Sequence, residues 1–212
     1  MSAEEIESLR QALAAQRELQ READHRVKNN LQLISSLVML HGRRTADEGA
    51  RQALKAVQQR VTAVSAAHRY VTRERGSEQV DLAALVRELA GDLAAAAGRE
   101  GIAISLDLEP VFVGARDAAP LALILNEALG NALAHAFPDA RPGRIAVTLR
   151  DTDGGFELAV ADDGVGQAGA APGFGRTILQ LLSQQLRARL EITDAQPGLR
   201  VAVSVPTNQA QP

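Results

Sequence analysis

The chain has 212 residues, 46% of them hydrophobic, which is enough to bury a sizeable core as one or two domains. A formal net charge of −3, with 2% aromatic residues and no tryptophan, leaves neither a basic footprint nor stacking platforms for nucleic acid. There is no cysteine, so disulfide frameworks and thiolate chemistry are excluded. No apolar run approaches the roughly 18 residues that a bilayer span needs, and residues 1–20 are charged throughout, unlike a signal peptide. The expectation is a soluble cytoplasmic protein.

Residues 4–75 contain no proline and only two glycines, Gly42 and Gly49, and read as two long helices. The first is expected to run to His41 and to end in a turn over 42–45. Thr45 with Glu48 suggests a capping box for the second. In that second helix Leu54, Val57, Val61, Val64, His68 and Val71 step by three and four as a heptad seam. A lone hairpin cannot cover all its apolar faces, and two can close into a four-helix bundle, so the segment argues for a homodimer. His68 lies on the apolar seam and reads as a packed residue, and His41 as a cap or turn residue.

Within the first helix, about 100° of rotation per residue puts Val27, Leu31, Ile34 and Val38 on one face. His25, Asn29, Gln32 and Ser36 lie on the other, about 200° round. A neutral imidazole nitrogen is a competent nucleophile, and an unperturbed histidine is substantially neutral near pH 7. Arg26 and Lys28 beside it suit the charge of an incoming phosphoryl group. On its own, a histidine on a polar helix face carries no such implication.

Gly76-Ser77 reads as a joint, after which helices and strands alternate. Asp81 is expected to cap a helix over 82–97. Residues 102–108 alternate with period two, 111–113 follow as a short strand, and 117–137 are helical. Strands over 144–149 and 156–160 flank the hairpin signal Asp153-Gly154-Gly155. A helix over 175–187 and strands over 190–193 and 199–205 complete a two-layer α/β sandwich of mostly antiparallel pairs. The tail 207–212 is polar and expected to fray. The division is therefore 1–75, 76–206 and 207–212.

Three pieces of the second part carry chemistry. In Asn126-Glu127-Ala128-Leu129-Gly130-Asn131, Glu127 and Asn131 are four apart and project from one helix face, oxygen donors suited to a hydrated Mg²⁺. Asp162-Asp163-Gly164-Val165-Gly166 follows a strand, where a carboxylate can accept a hydrogen bond from an exocyclic amine and glycines let backbone approach a flat ring. Gly173-Phe174-Gly175 precedes a helix whose amides suit phosphates. Each piece alone is compatible with an ordinary polar helix, acidic turn or tight turn. The ordered set is more specific than any member.

With these motifs in hand, the chain resembles a histidine kinase of the HisKA_2 type, close to the HWE group, from about residue 22 to 206. The run His25-Arg26-Val27-Lys28-Asn29-Asn30-Leu31-Gln32 is the strongest marker. The second part resembles the Bergerat fold of gyrase, Hsp90 chaperones, histidine kinases and MutL proteins. The resemblance implies that His25 is the phosphoacceptor. It implies that Glu127 and Asn131 form the N box, Glu127 with a catalytic part, and that His135 belongs to the nucleotide site. Asp162 is implied to bind adenine, with Gly164, Gly166, Gly173 and Gly175 shaping the pocket. ATP and Mg²⁺ are the implied cofactors, and a response-regulator receiver domain the implied partner.

Departures from that family accompany the matches. Ala134 stands where relatives usually carry lysine before the N-box histidine, and Arg176 where they usually carry an apolar residue. The segment 167–172 is short and uncharged for an ATP lid. Gln167 stands where leucine is common, Leu186-Arg187-Ala188-Arg189-Leu190 replaces a common glycine pair, and Gly198-Leu199 lacks the threonine hydroxyl of the late G-T motif. The main expectation is an ATP-dependent kinase that autophosphorylates on His25 and passes the group to a receiver aspartate. The alternative is a histidine phosphotransferase or response-regulator phosphatase with a weakened or inactive ATP site. A third reading, an interaction scaffold, does not explain an exposed His25.

Overall fold

The computed structural model describes residues 2–73, 79–166 and 173–206. The expected joint at Gly76-Ser77, the lid segment 167–172 and the tail 207–212 lie outside them. The chain forms two compact units, residues 1–65 and 66–212.

The first unit is a helical hairpin. Helix α1 spans Ala3–Arg44 and opens on a capping box, in which Ser2 Oγ accepts the Glu5 N–H and the Glu5 carboxylate accepts the Ser2 N–H. Its 42 residues run about 63 Å. The helix continues past Gly42 to Arg44, three residues beyond the expected end. Thr45 then closes it, giving both its N–H and its hydroxyl to the His41 carbonyl. Helix α2 spans Glu48–Arg73. Its N-terminal cap is Asp47, whose Oδ1 accepts the Ala50 N–H, so the expected box of Thr45 with Glu48 does not form. Along the apolar stripe of α1, Leu31 and Val38 are half-buried while Val27 and Ile34 remain exposed. Leu33, Leu37 and Leu40 are exposed too.

The end of α2 belongs to the second unit. There Ala66 and Ala67 are fully buried, His68 is half-buried, Arg69 pairs with Glu88, and the Tyr70 hydroxyl donates to the Ala84 carbonyl. Strand β1, Gln79–Asp81, pairs antiparallel with β3, Phe112–Gly114. Helix α3, Leu82–Ala97, is capped by Asp81, whose carboxylate accepts the Ala84 N–H. Helix α4 spans Ala115–His135, beginning two residues earlier than expected. Strands β2 (Ile102–Leu108), β4 (Gly143–Thr152), β5 (Gly155–Asp162), β7 (Leu199–Pro206) and β6 (Arg189–Asp194) form one sheet in that spatial order. The β2·β4 pair is parallel and the others antiparallel. Helix α5 spans Phe174–Gln185.

Strand alternation divides the sheet into two faces. Ile145, Val147 and Leu149 of β4 pair with Asp162, Val160 and Leu158 of β5, and every one of these except Asp162 is an apolar core residue. Leu85, Leu89, Leu121, Leu125 and Leu129 bring α3 and α4 into the same core, each buried leucine contributing about 1.5–3 kcal/mol. The opposite face carries small and charged residues, with Arg150 paired to Asp107 and Arg200 to Glu157. This is a two-layer α/β sandwich following a helical segment, as expected. No helix among the described residues is long and apolar enough to cross a membrane.

Candidate functional site

Asp162 is the residue around which the site is built. Period-two alternation through Leu158 and Val160 aims it at the helix-facing side, at the end of β5 where the apolar row stops. It is only 8% exposed. Its Oδ1 accepts the backbone N–H of Gly164 at 2.9 Å and of Leu199 at 3.3 Å. Its Oδ2 has no hydrogen-bond partner among the described residues and is the acceptor left for a ligand. Burial pushes its carboxyl above the usual carboxylate range and the charge of Asp163 adds to this, while the two N–H groups pull the other way. Asp163 plays a different part. Its Oδ1 accepts the Arg144 N–H at 2.7 Å and fastens the loop to β4.

The loop after Asp162 lies against the end of α4. Val165 N–H donates to the Ala136 carbonyl at 2.9 Å, and a β-carbon on Gly164 would overlap that carbonyl. One and two turns back along α4 sit Asn131 and Glu127. Glu127 is buried, with Oε1 accepting from the Asn126 side-chain amide at 3.2 Å. The first turn of α5 packs onto both: a β-carbon at Gly175 would stand 3.0 Å from Glu127 Oε2 and 3.2 Å from Asn131 Nδ2. Glu127, Asn131 and Gly175 are thus brought together, as are Asp162, Gly164 and the start of β7. Gly166 takes a left-handed φ of +67°. Gly173 is the residue before α5, exposed, with nothing within 4 Å of a built β-carbon. His135 ends α4 in an exposed position, beside the exposed Ala134.

Three participants were not legible as such. Leu199 serves through its backbone N–H, so the missing threonine hydroxyl of the late G-T motif does not remove that contact. Gly198, with φ +98°, passes so close to Asp162 that any β-carbon would overlap its carbonyl. Asn126 bonds the Glu127 carboxylate. All three stand inside motifs that the sequence displays, Asn126 at the head of the 126–131 run and Gly198-Leu199 as a pair, but none of these contacts could be read from motif position.

In the helical unit, His25 is exposed on α1. Arg26 is tied back to Glu22 one turn earlier, through Nε at 3.2 Å and Nη2 at 2.5 Å. Lys28 is exposed and has no ion pair among the described residues, so it is the less encumbered cation near His25.

A strand-end acid beside an N-E-x-x-x-N helix, on a mixed sheet covered by helices on one face, defines an ATPase-like domain. It follows a helical hairpin bearing an exposed histidine. The chain belongs to the histidine kinases: a family model described as histidine kinase matches residues 22–97, and one described as histidine kinase-like ATPase domain matches residues 79–177. It is 28% identical over 198 residues to the sensor histidine kinase PdtaS of Mycobacterium tuberculosis, covering 89% of this chain and 39% of that protein. It is 30% identical over 200 residues to a blue-light-activated histidine kinase of Rhizobium johnstonii, covering 92% of this chain and 54% of that protein. The chain therefore spans about half or less of the length of these relatives. In fold it is similar to the histidine kinase domain of the Erythrobacter litoralis EL346 blue-light activated histidine kinase. That match has a TM-score of 0.69 at 21% identity and covers 85% of this chain and 95% of that one.

Proposed function

We propose that this chain is the kinase core of a two-component signalling protein, an ATP-dependent protein-histidine kinase. Its 1–75 segment would dimerise and carry the phosphoacceptor, and its 76–206 segment would bind nucleotide. The supporting observation is the state of Asp162: one oxygen is committed to backbone and the other is left for a ligand donor. That suits the exocyclic amine of adenine.

The remaining residues fit the rest of the nucleotide. Magnesium keeps several waters and shares substrate phosphates, so two protein oxygens, from Glu127 and Asn131, suffice to hold it. Bound Mg·ATP supplies the transferable phosphoryl group with much of its charge neutralised. Gly164 and Gly166 keep side chains out of the way of the base. Gly173 and Gly175 present the N-terminus of α5, and His135 lies toward the phosphates. His25 offers an imidazole nitrogen as nucleophile, with Lys28 near enough in sequence to balance charge. From His25 the group would pass to an aspartate of a response-regulator receiver domain. The chain would act as a homodimer in the cytoplasm.

Incubation with γ-labelled ATP and Mg²⁺, with and without a receiver protein, tests the reading. Wild type should acquire acid-labile, alkali-stable phosphate that a receiver drains. His25→Ala should acquire none, while its stability shifts by less than about 0.5 kcal/mol, as expected for a surface truncation. Label at the wild-type level in the mutant would refute His25 as the acceptor.

A further inference from the structure

A second polar groove lies between α5 and the edge strand β6, apart from the nucleotide residues. Its volume is about 340 Å³. Arg176, Gln180, Ser183 and Gln184 line it from α5, and Leu190 and Ile192 from β6. The four helical positions step by four, three and one, so they share a face about 12 Å long. Gly175 faces Glu127 and Asn131 instead, on the α4 side. A separate cavity of about 440 Å³ beside Gly164 and Leu199 has only Ile192 in common with this groove.

Two side chains of the groove stand without a side-chain partner among the described residues. Ser183 is 3% exposed, yet its Oγ has no hydrogen-bond partner. A helical hydroxyl normally falls back on the carbonyl four residues earlier, and Ser36, Thr62, Ser65 and Thr72 of this chain all do so. Ser183 does not, which leaves a buried hydroxyl beside a cavity with nothing to bond. Arg176 forms no ion pair among the described residues, and no acidic side chain lines the groove.

We infer that this groove binds a small organic carboxylate with a short aliphatic body, at a site separate from the nucleotide. The guanidinium of Arg176 matches a carboxylate fork, and one cation balances one negative charge. Gln180 and Gln184 offer amide N–H donors, and Ser183 Oγ supplies a donor at the far end. Leu190 and Ile192 form an apolar floor against which methylenes would lie. A doubly charged phosphate would lack a second cation, and an ammonium would meet Arg176 as a like charge.

The test is calorimetric titration of the full 212-residue chain with hexanoate, hexanol and hexylamine, alone and in saturating non-hydrolysable Mg·ATP analogue. Hexanoate should bind saturably in the millimolar range or tighter, and the other two at least tenfold more weakly. Arg176→Leu and Arg176→Gln should each weaken hexanoate roughly tenfold, and Ser183→Ala severalfold, with circular dichroism reporting intact fold. Binding should persist with the nucleotide site filled. Absence of saturation, equal binding of hexanol, insensitivity to both Arg176 variants, or displacement by the nucleotide analogue would each overturn the proposal. So would binding confined to an acidic peptide, since the occupant would then be a protein partner.

Discussion

Leu199 donates its backbone N–H to Oδ1 of Asp162 across 37 residues of chain, and so ties the start of β7 to the end of β5 at the proposed nucleotide site. Gly198, immediately before it, is what permits the approach. Any β-carbon there would overlap the Asp162 carbonyl, and its φ of +98° is a conformation that side chains resist. A site whose acid is held by backbone alone does not depend on which side chain follows the glycine.

From this follows a pair of opposite outcomes for glycine substitutions. Gly198→Ala combines positive φ with overlap of fixed backbone, and should destabilise by more than about 2 kcal/mol while abolishing nucleotide binding. Gly91→Ala lies in the exposed middle of α3, with nothing within 4 Å of its new methyl, and should stabilise by about 0.5–1 kcal/mol. Urea denaturation of both variants checks the sign difference. Equal effects would mean that Gly198 is not under the constraint described.

Asp162→Asn separates binding from folding. The amide oxygen can still accept from Gly164 and Leu199, so the loop should hold. The amide nitrogen then occupies the other position and presents a donor to a donor, which should weaken ATP by roughly 10- to 100-fold. The stability effect runs the other way. A carboxyl raised in the folded state contributes stability below its unfolded pKa, and loses it as pH rises through the folded value. At neutral pH the buried charge is therefore a burden. The apo mutant should unfold at the same temperature as wild type or a higher one at pH 7, with the difference shrinking as pH falls through the raised pKa. Thermal scans between pH 4 and 8 would expose the opposite trend if Asp162 were stabilised as a charge.

Oligomeric state is a third outcome to measure. The hairpin exposes Val27, Leu33, Ile34, Leu37 and Leu40 on α1, and Leu33 keeps 60% of its surface. Val57 on α2 is exposed as well. Surface of that kind ordinarily marks a contact. Light scattering at micromolar concentration should give twice the 22.5 kDa chain mass, and Ile34→Asp should move the mass toward the monomer. A monomeric wild type would remove the four-helix bundle from the account.

Much of this architecture was readable from local pattern. Residues 102–108 alternate and form a strand with those bounds, and Asp81 caps α3 as its position suggests. What escaped reading was set by competition or by backbone. Gly42 does not stop α1, because Arg43 and Arg44 favour helix and Thr45 can close it by bonding the His41 carbonyl. Asp47 outcompetes Thr45 as the cap of α2, since Thr45 is already spent on α1. Strand β1 has three residues, too few for a period to register. In the candidate site, Asp162 and the Glu127–Asn131 pair were legible as candidates because side chains carry them. The Leu199 N–H and the Gly198 approach were not, because any residue has an N–H and only the fold decides where it points.

The last prediction addresses the missing cation. Ala134 is exposed on the last turn of α4, next to His135 and three residues beyond Asn131. A lysine there needs no core rearrangement, so Ala134→Lys should leave stability within about 0.5 kcal/mol of wild type. A mobile ammonium close to bound phosphates should tighten Mg·ATP by roughly three- to tenfold at low salt. Part of that gain should vanish near 0.5 M salt, because exposed charges are screened over a few ångströms there. Titration with a fluorescent ATP analogue at two ionic strengths checks both statements. A gain insensitive to salt would point to a packing change in place of a phosphate contact. No gain at all would place residue 134 away from the phosphates and leave the work of charge balance to Mg²⁺ and the α5 N-terminus.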